Sequence, residues 1–204
     1  MASTPKETSS KRAAVQASVL LATESLLEEG SSFADLGIER IATRAGISRT
    51  AFYFYFKDKK DLLKQLTEEI SAQLYEQADI WFSGAGDPVE EMRTALQRIG
   101  EIYRAHGPLL RAIVEASTYE PEVAEFWRTL LGRFVDAAAD RMDRAQAEGA
   151  PPIATRPAAF ALAWMTERTF YEQLVQDEPF VLEELVEGLT EIWVRAVHGA
   201  RPDA

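Results

Sequence analysis

Between residues 48 and 59 the chain gathers Ser48, Arg49, Thr50, Tyr53, Tyr55, Lys57 and Lys59, and Arg44 adds a cation just upstream. Hydroxyls, a guanidinium and ammonium groups are the donors that phosphate oxygens and base edges accept from. The chemistry on offer is noncovalent recognition of a polyanion. Phe52, Phe56 and Leu63 are spaced to turn inward and leave those donors outside.

Two short helices have to position them. Ile38, Ile41 and Ala42 fall at helical spacing, so Ile38-Glu39-Arg40-Ile41-Ala42-Thr43-Arg44 predicts a first amphipathic helix. Gly46 follows where a helix end favours positive φ. Ile47 is placed to anchor the turn, and Ser48 is a good N-cap for a second helix through Tyr55. The small residues Ala42 and Gly46 let the two helices cross closely, as a helix-turn-helix requires. Asp58 then caps a further helix beginning Lys59-Lys60-Asp61-Leu62-Leu63. An ordinary helical hairpin whose aromatic run only fills a core satisfies the same spacing.

The run IATRAGISRTAFYFYFKDKKDLL resembles the N-terminal signature of the TetR family of bacterial transcriptional regulators. Ile41, Ala42, Ala45, Gly46, Ser48, Tyr53, Tyr55, Phe56, Lys59, Leu62 and Leu63 carry the likeness, which extends over about residues 12 to 66. A first helix from Ala13 to Glu29, stopped at Gly30, and Phe33 are also in place. The resemblance implies a DNA-binding head in which Arg44, Ser48, Arg49, Thr50, Tyr53, Tyr55 and Lys59 face the duplex. Where that family often has Thr or Ser capping its second helix, this chain has Leu36-Gly37, and Asp35 is expected to cap instead.

A chain of 204 residues is long enough to bury a sizeable core. It has no Cys, which excludes disulfides and thiolate metal sites and suits a reducing cytoplasm. Residues 1 to 11 lack the apolar core of a signal peptide, and no run of 18 apolar residues exists, so a soluble, cytoplasmic protein without a membrane span is expected. The formal charge of −11 seems at odds with nucleic acid. Its distribution resolves the conflict: residues 1 to 64 carry +2 and the remainder −13. Such a molecule would orient on DNA head first, with specificity drawn mainly from groove contacts.

Every remaining segment reads as helix, giving an all-α chain of about nine helices. The sequence divides into a three-helix helix-turn-helix DNA-binding head over 1–58, with a disordered tail to about residue 10, and a helical ligand-binding and dimerisation bundle over 59–204. Leu63, Leu66, Ile70, Leu74, Ala78 and Trp81 form one stripe over 59–82. Asp87-Pro88-Val89-Glu90 starts a helix to Ala105, and a short one follows over Leu109–Ser117. Pro121 opens a long helix to Ala147, Thr155 caps one running from Arg156 to Val175, and the last covers Phe180–His198 after a turn at Gln176–Pro179.

The body concentrates large apolar side chains, among them Trp81, Tyr103, Phe126, Trp127, Phe134, Met142, Trp164, Met165, Phe170 and Tyr171. They suit either a solid helical core or a hydrophobic pocket, for which Thr166, Glu167 and Thr169 supply polar groups. Residues 110 to 198 look similar to the mycobacterial ethionamide-activation repressor subgroup of the same family, through Pro121–Trp127 and Trp164–Phe170. That subgroup has an Asn-Glu-Arg-Thr run lining a hydrophobic tunnel, and Thr166 replaces the Asn here. The resemblance implies a small hydrophobic effector held by Tyr103, Phe126, Trp127, Phe134, Met142, Trp164, Thr166, Thr169 and Phe170. Glu167 and Arg168 in mid-helix mark either a ligand site or an ion pair across helices.

Phe160, Trp164 and Tyr171 on one helix and Leu182, Leu185, Leu189, Ile192, Trp193 and Ala196 on the last exceed what one core needs. They predict a homodimer paired as a four-helix bundle. His106 and His198 sit near helix ends, where a cation suits the dipole, and neither has a Glu three residues before it. No catalytic constellation, metal site or cofactor motif is present in the sequence. The expectation is a ligand-responsive regulator, a repressor released from a palindromic double-stranded DNA operator. The alternative is an all-α interaction or ligand-binding module without sequence-specific DNA binding, which would not need the Arg49-Thr50-Tyr53 surface.

Overall fold

A computed structural model describes residues 5–176 and 180–199, with the backbone path alone over 5–11. Residues 1–4, 177–179 and 200–204 lie outside the described residues, and with them part of the expected turn and chain ends; residues 5–10, expected in the disordered tail, are helical. Among the described residues there are nine α-helices and no strand. They are α1 (Pro5–Glu28), α2 (Ile38–Arg44), α3 (Arg49–Tyr55), α4 (Lys59–Phe82), α5 (Pro88–Ala105), α6 (Gly107–Tyr119), α7 (Pro121–Ala147), α8 (Thr155–Phe170) and α9 (Leu182–His198). A π turn, Tyr171–Val175, extends α8.

The chain forms two compact units. The first gathers residues up to Thr67 together with Pro108–Ala124, and the second Glu68–Gly107 with the chain from Glu125 onward. In the first unit α1 starts at Pro5, earlier than the Ala13 expected, and stops at Gly30, whose φ of 87° a side chain would resist. Its core draws on Val19 and Leu26 from α1, Phe33 and Leu36 from the following loop, Ile41 from α2, Phe52 and Phe56 around α3, and Leu62, Leu63 and Leu66 from α4. Ion pairs from Lys60 to Glu120 (2.9 Å) and from Lys64 to Glu122 (3.1 Å) tie the start of α4 to the α6–α7 corner inside this unit.

In the second unit the α5 start signal works as its residues predict. Asp87 Oδ1 accepts from the N–H groups of Val89 (2.8 Å) and Glu90 (3.3 Å), with Pro88 at the first helical position. Thr155 does not cap α8; the N-cap is Ala154 and makes no side-chain hydrogen bond. The helix also changes character after Phe170, with the π turn beginning at Tyr171, instead of continuing as α-helix to Val175.

The faces of α8 and α9 correct the expected dimer surface. Leu182, Leu185, Leu189, Trp193 and Tyr171 are all buried within their own chain. Phe160 (56% exposed) and Ile192 (46% exposed) stay on the surface, beside half-buried Trp164 and Ala196. A face of period 3.6 does not distinguish contact with a partner from contact with the chain's own core.

Candidate nucleic-acid interface and cavity

The helix-turn-helix is built by local hydrogen bonds. After α2 the Ile47 N–H donates to the Ala42 carbonyl at 3.0 Å and the Gly46 N–H to the Thr43 carbonyl at 3.2 Å. This is a Schellman pair, and it requires the left-handed Gly46, φ 71°. Ser48 then caps α3, its Oγ accepting from the Ala51 N–H at 3.0 Å. The hydroxyl proton of Ser48 stays available to an acceptor. Phe52 on α3 and Phe56 just after it are fully buried and fix which face of the helix looks outward. Asp58 caps α4 by accepting from the Asp61 N–H at 2.8 Å.

Four of the expected contacts therefore stand together on exposed backbone: Ser48, Arg49, Thr50 and Tyr53, the last 48% exposed. The other three are held elsewhere. Arg44 forms a two-pronged ion pair with Glu29, at 2.8 and 3.0 Å, and also donates to Ser25 at 2.7 Å. Lys59 donates to the carbonyls of Phe33 and Ala34, each at 2.7 Å, with its ammonium 5.0 Å from the Phe33 ring centre. Desolvation lowers its pKa, partly opposed by Asp35 and Glu120. It staples the loop before α2 to the start of α4. Tyr55 is half-buried beside Arg12, whose guanidinium lies 6.0 Å from the ring centre.

Asp35 does not cap α2. Its carboxylate accepts from the Ser32 hydroxyl at 2.7 Å, and Gly37 is an N-cap without a side-chain bond. Phe54, 78% exposed on α3, went unmarked in the aromatic run. Its position two residues after buried Phe52 is the signal that places it outside.

The second unit holds a cavity of about 90 Å³ among α4, α5, α7, α8 and α9. Tyr103, Trp127, Phe134, Thr166 and Phe170 line it, with Trp81 and Trp193. Phe126, Met142, Trp164 and Thr169 do not: Met142 is buried elsewhere on α7, and Trp164 packs on exposed Phe160 with ring centres 6.0 Å apart. Aromatic contacts stiffen the wall, Tyr103 against Phe170 at 5.5 Å and Trp81 edge-on to Trp193 at 5.3 Å. The Thr166 hydroxyl donates to the Leu162 carbonyl and accepts from Trp193 Nε1, each at 2.9 Å. It orients Trp193, so it has little capacity left for a ligand.

Glu167 also lines the cavity and is buried. Its companion Arg168 does not pair across helices as one reading had it. Arg168 bonds Glu172 at 3.2 Å one turn on, lies 5.0 Å from the Tyr171 ring centre, and approaches Glu167 only to 3.8 Å. Burial raises the Glu167 pKa, Arg168 opposes the rise and Glu172 adds to it. Burial likewise raises that of the Tyr103 phenol, helped by the Glu167 charge. His198 departs from the dipole reading, since burial first and then Arg141 lower its pKa and favour the neutral ring. Among the described residues no cluster of His, Asp or Glu is arranged to hold a metal, and no helix is long and apolar enough to cross a membrane.

Residues 19–66 match the model of the bacterial regulatory proteins of the TetR family, and residues 92–199 match the C-terminal domain of the transcriptional regulator EthR. The chain belongs to the TetR family. It is 33% identical over 191 residues to the HTH-type transcriptional regulator EthR of Mycolicibacterium smegmatis, covering 90% of this chain and 86% of that one. Among solved structures, the fold is similar to that of FadR from Bacillus subtilis in complex with stearoyl-CoA, at a TM-score of 0.74 and 17% identity over 90% of this chain and 98% of that one. PfmR from Thermus thermophilus, also a TetR-family regulator, gives 0.68 and 17% over 86% and 97%. Members of this family are DNA-binding transcriptional regulators, not enzymes, and this chain is one of them.

Proposed function

We propose that this ligand-responsive regulator is a cytoplasmic repressor that binds a palindromic operator as a homodimer and leaves it when a small hydrophobic effector enters the cavity. The single observation that carries the reading is the capped α3, which holds the donors of Ser48, Arg49, Thr50 and Tyr53 in solvent above a fully buried Phe52. Residues 1–58 serve as the DNA-binding head and 59–204 as the ligand-binding and dimerisation body. Arg49 and Thr50 begin α3 and read base edges; Ser48 and Tyr53 take phosphate oxygens; Phe54 offers apolar contact to a thymine methyl. Arg44 and Lys59 act by bracing the head.

A copy of the chain pairs through Phe160, Trp164, Ile192 and Ala196, and the two heads read half-sites about 34–36 Å apart or a multiple of it. EthR of Mycolicibacterium smegmatis, similar over most of the chain, and FadR bound to stearoyl-CoA support an effector-controlled regulator. A cavity of about 90 Å³ is smaller than the ~150 Å³ that admits benzene. A larger effector must therefore displace lining side chains, and α4, which lines the cavity through Leu74, Ala78 and Trp81, carries the displacement. Release is a population shift in which the effector prefers the displaced state.

Selection of binding sites from random duplex DNA, followed by mobility shifts, tests the head. Arg49→Ala and Thr50→Ala should each change base preference and weaken the selected site by about 1–3 kcal/mol. Tyr53→Phe should weaken all sequences alike by about 1 kcal/mol. Unchanged affinity and preference in both alanine variants would remove α3 from the interface.

A further inference from the structure

Among the described residues that line the cavity, Glu167 is the only carboxylate. Its side chain is 3% exposed, and Oε2 has no hydrogen-bond partner. The charged and titratable groups around it are few. Arg168 Nε stands 3.8 Å away and is drawn off by Glu172 and the Tyr171 ring, while Tyr103 supplies a buried phenol from α5. A buried carboxyl with a bare oxygen is costly, and native proteins rarely keep one without a use.

We propose that the cavity takes an apolar ligand ending in a hydrogen-bond donor, an amine in the first instance, and that Glu167 receives that donor. The inference rests on reading the cavity as the effector site. Glu167 has already lost its solvent on folding, so a ligand cation meets a partner whose desolvation is incurred in advance. Thr166 does not compete, because its hydroxyl is bonded to Leu162 and Trp193. Trp81 Nε1 is a second lining group without a partner, and as a donor it would favour an acceptor. A neutral indole N–H left unpaired is less costly than an unpaired carboxylate, so Glu167 sets the preference. An anionic ligand would place a second carboxylate beside the first, with Arg168 already occupied. The direction of the Glu167 pKa shift fits this picture: an arriving ammonium stabilises the ionised form that burial disfavours.

Hexylamine, hexan-1-ol and hexanoate share one chain and differ in the head group, and Trp81, Trp127 and Trp193 line the cavity as fluorescent reporters. Titrated into the full chain at neutral pH, hexylamine should bind at least tenfold more tightly than hexan-1-ol, and hexanoate more weakly than either. Glu167→Gln and Glu167→Leu should each erase the amine preference by weakening hexylamine far more than hexan-1-ol, and a tryptophan response to hexan-1-ol that persists reports that the variant is folded. Hexanoate equal to or tighter than hexylamine, equal binding of amine and alcohol, or a preference that survives both variants would overturn the assignment while leaving the cavity in place. No fluorescence response to any of the three would overturn the cavity reading and this inference together.

Discussion

Around α3 the polar side chains face solvent and are fixed by partners a few residues away, as Ser48 is by the Ala51 N–H and Asp58 by the Asp61 N–H. Around the cavity they are buried and fixed, where they are fixed at all, by partners far along the chain: Thr166 bonds Trp193, 27 residues on. The first arrangement forms its geometry from neighbouring residues and leaves donors free for an external acceptor. The second depends on five helices meeting correctly, and it leaves Glu167 and Trp81 with unmade bonds. A surface built locally tolerates change in distant parts of the molecule. A cavity assembled from distant elements responds to them, which suits an effector site.

The largest effect should come from breaking the long-range assembly. Leu189 is 4% exposed on α9, so Leu189→Glu buries an unpaired charge and should destabilise by about 4 kcal/mol or more. Circular dichroism melting should show that loss, whereas Ile192→Glu, at a surface position, should keep the melting temperature and abolish the dimer in sedimentation. A folded, monomeric Leu189→Glu protein would mean that α9 faces a partner and not its own core.

Breaking the local arrangement should be milder. Gly46→Ala puts a Cβ on a residue at φ 71° and should cost about 1–2 kcal/mol, with nothing nearby for the new methyl to strike. Thermal melting should fall by a few degrees, and DNA affinity should fall with it because Gly46 sets the turn into α3. An unchanged melting temperature would show that the turn relaxes without it.

The smallest effect concerns the unmet carboxyl and is read as a pH slope. Glu167 has its pKa raised in the folded protein, so the folded state holds more protons than the unfolded one above the ordinary carboxyl value of 4.5. Stability from this group is present below that value and is lost as pH rises through the folded pKa. Glu167→Gln should therefore gain melting temperature relative to the unchanged protein at pH 7.5 and gain less at pH 5. Parallel melting curves at both pH values would mean that Glu167 is ionised and satisfied in the fold.

The helices, their start signals and the helix-turn-helix were legible in the sequence because each rests on short-range physics. Asp87-Pro88, Ser48, Asp58 and Gly46 act within four residues of where they stand, and the apolar period of 3.6 marks one face of α4 without ambiguity. The tertiary structure alone decided which partner each face or charge would meet. Arg44 and Lys59 carry the same charge as Arg49, yet Glu29 and the Phe33 and Ala34 carbonyls already hold them. Leu189 and Ile192 share a helix three residues apart, but one enters the core and the other stays outside. Five of the nine expected pocket residues line the cavity because helix phase at α8 turns Trp164 away and brings Glu167 in, while Met142 lies on α7 beyond the stretch from Trp127 to Phe134 that forms the wall. Local hydrogen bonds span a turn and are written in consecutive residues; burial is set by how helices from remote parts of the chain rotate against one another.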